Sequence, residues 1–173
     1  VCLCEGDPFF YGSFMYLFAR LSETYRTEVI PGVTSVTACA ARAGLPLAAR
    51  NERLTILPGP LPEEELEARI AGAESVAIMK VGRHLPKIRS VISRLGLEQR
   101  AIYVERATLE EERILPLEDA PEGAPYFSMI LIYKGAEDWL ADWPAAPEQA
   151  RRCPCSRLFL RWRSGRAHGR KGV

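Results

Sequence analysis

Between Val76 and Gly96 the spacing of apolar residues changes period within a few positions, and this most constrains the fold. Val76 to Met79 is a short apolar run of strand length. After Lys80-Val-Gly82, the residues Leu85, Ile88, Val91, Ile92 and Leu95 recur at 3.6-residue spacing and end at Gly96. An apolar run, a glycine-bearing loop and an amphipathic helix make a strand–loop–helix unit, and units of this kind build α/β sheets.

The rest of the chain repeats the theme. Strands are expected at Leu54–Leu57, Ile102–Val104, Arg113–Leu115 and Met129–Tyr133, and an acidic helix at Pro62–Ala71. Upstream, Val1–Glu5 reads as a buried strand, Tyr11–Ser22 as a helix carrying Phe14, Leu17, Phe18 and Leu21, and Glu28–Ile30 as a further strand, which together imply a parallel crossover. A small-residue helix follows from about Val36 to Arg42, capped by Thr34 or Ser35 and stopped by Gly44. The polar break near residues 45–53 suggests a domain boundary. Residues 1–48 are then expected as the remainder of a first α/β domain, 49–140 as a second with a mixed sheet, and 141–173 as a disordered basic tail.

Charge supports the last division. The net charge of +1 conceals eight cations and no acid in residues 151–173, which leaves −7 on the remainder. An acidic body offers no footprint for nucleic acid. The five cysteines include no C-x-x-C pair and no histidine at metal-ligand spacing, so no metal is expected and a reduced, cytoplasmic setting is. No apolar run approaches the roughly 20 residues of a membrane-spanning helix.

In open α/β folds ligands bind beyond the carboxyl ends of strands. Four such ends carry loops: Glu5-Gly-Asp-Pro8, Pro31-Gly-Val-Thr-Ser35, Met79-Lys-Val-Gly82 and Glu105-Arg-Ala-Thr108. Taken singly, each also reads as an ordinary turn or capped helix start. Gly6 would let a backbone approach a ligand, and Asp7 would accept hydrogen bonds from hydroxyl or amino groups.

As an ordered set, the four loops resemble the tetrapyrrole methylase family along residues 1 to about 135. Glu5-Gly-Asp-Pro-Phe-Phe-Tyr-Gly-Ser-Phe-Met15, Val29-Ile-Pro-Gly-Val-Thr-Ser35 and Ile78-Met-Lys-Val-Gly-Arg-His84 most resemble its precorrin-2 carbon-20 branch. The resemblance implies a two-domain class III methyltransferase fold, with S-adenosylmethionine held in the cleft between the domains and S-adenosylhomocysteine as product. The implied reaction converts precorrin-2 to precorrin-3A in cobalamin biosynthesis. Position by position, the cofactor contacts it implies are Glu5, Gly6, Asp7, Phe10, Thr34, Ser35, Val81 and Ala107. The family's first strand and glycine-rich loop have no counterpart in these residues, so the first domain is expected to be incomplete.

The implied acceptor is a macrocycle bearing several carboxylates, which calls for cations around an apolar trough. Tyr11 and Lys80 are the residues singled out for it. Arg42, Arg50, Arg53, Arg83 and Lys87 lie near the same loops, where a solvated surface role is the alternative. No catalytic base is assigned; Glu105 stands at a suitable loop but equally suits a salt bridge. A homodimer is implied by the resemblance alone. The alternatives are a sibling methylase acting on uroporphyrinogen or a later precorrin, and a non-catalytic fragment whose tail binds polyanions.

Overall fold

The computed structural model describes residues 1–135, and the expected basic tail lies outside them. Five strands form one sheet in the order β1-β2-β5-β3-β4, namely β1 Leu54–Pro58, β2 Ser75–Met79, β3 Ala101–Glu105, β4 Arg113–Pro116 and β5 Ser128–Tyr133. β1 and β2 run parallel, while β5 is antiparallel to both β2 and β3. Hence β1, β2 and β3 point the same way, and their carboxyl ends share one edge of the sheet. The mixed sheet expected for the second module is present, and every strand end falls close to its expected position.

The central strands β2, β3 and β5 are buried at every position. That is why they read as unbroken apolar runs rather than alternating ones. One face of the sheet presents Val76, Ile78, Tyr103, Ile130 and Ile132 to α3 (Glu63–Ala71) and α4 (Leu85–Arg94). The other presents Ala77, Met79, Ile102, Val104, Met129 and Leu131 to Val36, Cys39, Ala40 and Ala43 of α2 (Ser35–Ala43). Burial of these side chains, each large one worth ~1.5–3 kcal/mol, is what orders the three layers.

Helix ends follow the signals in the chain. Thr34 caps α2 by accepting the Thr37 N–H at 3.3 Å, and Gly44 closes it at φ 63°. Beyond α4, Gly96 takes φ 65° while the Leu97 N–H returns to the Ile92 carbonyl at 3.1 Å, satisfying an orphan acceptor.

The amino-terminal expectations fare differently. Val1–Glu5 and Glu28–Ile30 are not strands, and Val1 to Glu5 are exposed. A strand requires a neighbour to take its backbone hydrogen bonds, and among the described residues neither segment has one. The parallel crossover inferred from them is therefore absent from the described residues. Between them α1 (Phe14–Leu21) forms with no fully buried residue, held by a local aromatic group in which Phe9 lies 5.9 Å from Phe14 and 5.0 Å from Phe18.

Candidate cofactor and acceptor site

Two loops far apart in sequence are fastened together by one carboxylate. Asp7 Oδ1 accepts the Phe9 N–H and Oδ2 accepts the Gly32 N–H, each at 3.0 Å. The backbones approach so closely that a Cβ on Gly32 would fall 2.1 Å from the Gly6 carbonyl oxygen. Gly6 itself sits at φ 73°. The result is a main-chain cradle in which the Gly6 carbonyl occupies the space a side chain on Gly32 would need, so the two loop backbones are held in direct contact. Asp7 therefore organises both loops, and its oxygens keep further lone pairs for a ligand hydroxyl or amino group.

At the carboxyl edge of the sheet, the first residue past β2 and the first past β3 both adopt left-handed backbone. Lys80 has φ 55°, Arg106 φ 50° and Thr108 φ 69°. Tyr11, just after the first loop, has φ 53°. Of the five non-glycine residues with positive φ among the described residues, four stand at these loops; the fifth is Arg50. Each costs of order 1–3 kcal/mol, and such strain concentrates where geometry serves function.

Gly59, just past β1, belongs to the same edge: its N–H donates to the Met79 carbonyl at 2.7 Å, and a Cβ there would meet the Lys80 carbonyl oxygen at 2.8 Å. Sequence reading missed it, although Pro58-Gly-Pro60 is a visible turn signal.

The expected acceptor residues meet across the edge. The Lys80 ammonium stands 5.4 Å from the centre of the Tyr11 ring, within cation–π range. Tyr11 is exposed, so one cation and one aromatic face are offered together to solvent.

The expected cofactor residues divide. Gly6 and Asp7 adjoin Gly32 and Val33, and Thr34 and Ser35 begin α2 directly after them. Phe10 and Ala107 are half-buried against the α2 side of the sheet. The Val81 side chain is fully buried in the opposite core, which leaves only its backbone for the expected contact. Glu5 is exposed and adjoins the cradle by its place in the chain, immediately before Gly6.

Most of the other cations near these loops are engaged elsewhere. Arg42 pairs with Glu112 at 2.6 Å, Arg53 with Glu74 at 3.0 Å, and the Lys87 ammonium donates to the Leu61 carbonyl. Glu105 takes the salt-bridge alternative. It is buried, receives the Tyr103 hydroxyl at 2.6 Å and pairs with Arg113 at 3.2 Å. Burial first, and then the Glu105 carboxylate, push the Tyr103 phenol well above its ordinary pKa, so it remains a donor.

Among the described residues no cluster of three metal-ligating side chains occurs, and no helix is long and apolar enough to cross a membrane.

Known proteins share both the sequence and the architecture. Residues 1–121 match the family model for Tetrapyrrole (Corrin/Porphyrin) Methylases. A precorrin-2 C(20)-methyltransferase of Sinorhizobium sp is 47% identical over 131 residues, covering 75% of this chain and 54% of that protein. The cobalamin biosynthesis protein CobIJ of Mycobacterium bovis is 42% identical over 134 residues, covering 77% of this chain and 26% of its own length. The chain thus spans about half of the first relative and a quarter of the second. Among solved structures, a uroporphyrin-III C-methyl transferase from Thermus thermophilus complexed with S-adenosyl homocysteine is 28% identical with a TM-score of 0.51, covering 73% of this chain and 62% of that one.

Proposed function

The chain belongs to the tetrapyrrole methylase family, and from that premise we propose that it serves S-adenosylmethionine-dependent methylation of precorrin-2 at carbon 20, a step of cobalamin biosynthesis. The observation that carries this reading is the 47% identity to a protein of that activity. The Thermus relative, solved with S-adenosyl homocysteine, supports the cofactor.

The residues suit such a cofactor. The Gly6–Gly32 approach holds the two loop backbones together, Asp7 retains acceptor capacity, and Thr34 and Ser35 stand at a helix start beside them. We assign Glu5, Gly6, Asp7, Phe10, Thr34, Ser35, Val81 and Ala107 to this site, Val81 through its backbone. When bound, S-adenosylmethionine supplies an electrophilic methyl group. The chain's own contribution is to align donor and acceptor and exclude water, because displacement at a sulfonium methyl needs no covalent help from a side chain.

Tyr11 and Lys80 are assigned to the acceptor. An aromatic face suits a flat macrocycle, and the ammonium suits its peripheral carboxylates. Residues 1–48 and 49–140 are proposed as the two modules beside the site, with α2 of the first packed on the sheet of the second. A homodimer in the cytoplasm completes the reading, supported by exposed Tyr16, Tyr25, Ile30 and Val33, which offer apolar surface to a second copy.

The test is incubation with S-adenosylmethionine and precorrin-2, followed by mass spectrometry. A singly methylated tetrapyrrole supports the reading. Methylation of uroporphyrinogen in its place would assign the chain to a sibling activity.

A further inference from the structure

A single carboxylate ties the last turn of α2, the helix that begins beside the cradle, to the loop after β3. Glu112 accepts the Arg42 Nε–H in a bifurcated bond, with Nε 2.9 and 2.8 Å from its two carboxylate oxygens, and a second hydrogen bond from the Arg42 Nη2 at 2.6 Å. The same carboxylate accepts the Thr108 N–H at 2.6 Å. Glu112 is largely shielded, with a side-chain exposure of 12%. Thr108 is β-branched yet held at φ 69°, a conformation such residues avoid. Arg106, two residues earlier, is also left-handed and is anchored through its N–H to the Phe127 carbonyl at 2.8 Å. Ala107 lies between these two strained residues.

We propose that Glu112 is a positioning residue for cofactor binding. Through Arg42 it fixes the loop to the helix that starts at Thr34 and Ser35, and through Thr108 it holds the backbone around Ala107 in its left-handed form. This rests on the reading of Thr34, Ser35 and Ala107 as cofactor contacts. Glu112 and Arg42 act through those residues and not by touching the ligand. Together they make the two halves of the site one unit, so that binding does not have to order the loop. Arg42, committed to this clasp, is not one of the cations that meet acceptor carboxylates.

Calorimetric titration of S-adenosylhomocysteine tests the clasp in the parent chain, in Glu112→Ala and in Glu112→Ala combined with Thr108→Gly, with circular dichroism of each. Glu112→Ala is expected to bind about tenfold more weakly, the scale of a lost charged hydrogen bond coupled to a site. Glycine at position 108 tolerates the left-handed backbone unaided, so the double variant recovers most of that loss. A merely structural Glu112 would show no such rescue. Should Glu112→Ala fail to fold, Glu112→Gln and its Thr108→Gly partner give the same comparison. Undiminished affinity in the single variant, or a loss that Thr108→Gly does not repair, overturns the clasp while leaving the cofactor reading intact. No binding by the parent overturns both.

Discussion

Asp7 and Gly32 are 25 residues apart in the chain and joined by a 3.0 Å hydrogen bond from the glycine N–H to the aspartate Oδ2. Replacing Asp7 by alanine removes this bond and the one from Phe9 together. Asp7 and Gly32 belong to neither core of the sheet, so the loss falls on the cradle. Asp7→Ala is expected to weaken S-adenosylhomocysteine binding by about tenfold or more, corresponding to ~1.5–3 kcal/mol for hydrogen bonds to a charged group. Calorimetry against the parent measures it.

Gly32 is needed for space, since it is not among the residues with positive φ. A methyl group there would press on the backbone oxygen of Gly6, which cannot step aside as a flexible side chain does. Gly32→Ala is expected to separate the loops and abolish cofactor binding while the circular dichroism of the sheet persists. Retained affinity would show that the close approach is dispensable.

Lys80 combines strain with an exposed charge. Lys80→Gly removes the left-handed penalty but raises the entropy of the unfolded chain, so stability should change by less than ~1 kcal/mol. Acceptor binding should fall, because the cation beside Tyr11 is gone. Lys80→Met keeps the strain and also loses the charge, and is expected to show the same loss. Urea unfolding and tetrapyrrole binding followed by fluorescence separate the two effects.

Glu105 is the buried acceptor for both Tyr103 and Arg113. Glu105→Ala removes the acceptor of the buried Tyr103 hydroxyl, while the half-exposed Arg113 turns to solvent, which should cost ~1–3 kcal/mol by urea unfolding. Adding Tyr103→Phe should recover part of that cost, because the hydroxyl that lost its carboxylate acceptor is then absent.

Acid should release the Glu112 clasp. The hydrogen bond from Arg42, with that from Thr108 and the Arg42 charge, holds the Glu112 carboxyl below its ordinary value of 4.5. A depressed carboxylate contributes stability that is fully present above the unfolded value and is lost as pH falls through the folded one. The stability difference between the parent and Glu112→Gln should therefore be constant above pH 4.5 and shrink below it. Glu74, held down to about 2 chiefly by hydrogen bonds from Arg53, is common to both proteins and cancels in the difference.

The fold was legible where period and packing coincide. Leu85, Ile88, Val91 and Ile92 predict α4 because every one of them is buried against the sheet. The β2 and β5 runs predict strands because both their faces are covered. The same logic misread Val1–Glu5 and Glu28–Ile30, since an apolar run does not reveal whether a partner strand pairs with it. Long-range clasps left no trace in the sequence: Arg42 and Glu112 are 70 residues apart and share no motif. Nor did left-handed backbone at Tyr11, Lys80, Arg106 and Thr108, because none of these is the glycine or asparagine that announces it. Family resemblance singled out the loops proposed for the site, whereas the hydrogen bonds of Asp7 and Glu112 could be read only from the folded chain.

The most direct test of the cradle is calorimetric titration of S-adenosylhomocysteine into the parent chain beside Asp7→Ala. Saturable binding of one ligand per chain in the parent, and binding about tenfold or more weaker in Asp7→Ala, is the predicted result. Equal binding by both proteins, or none by the parent, would contradict a cofactor site built on Gly6, Asp7 and Gly32.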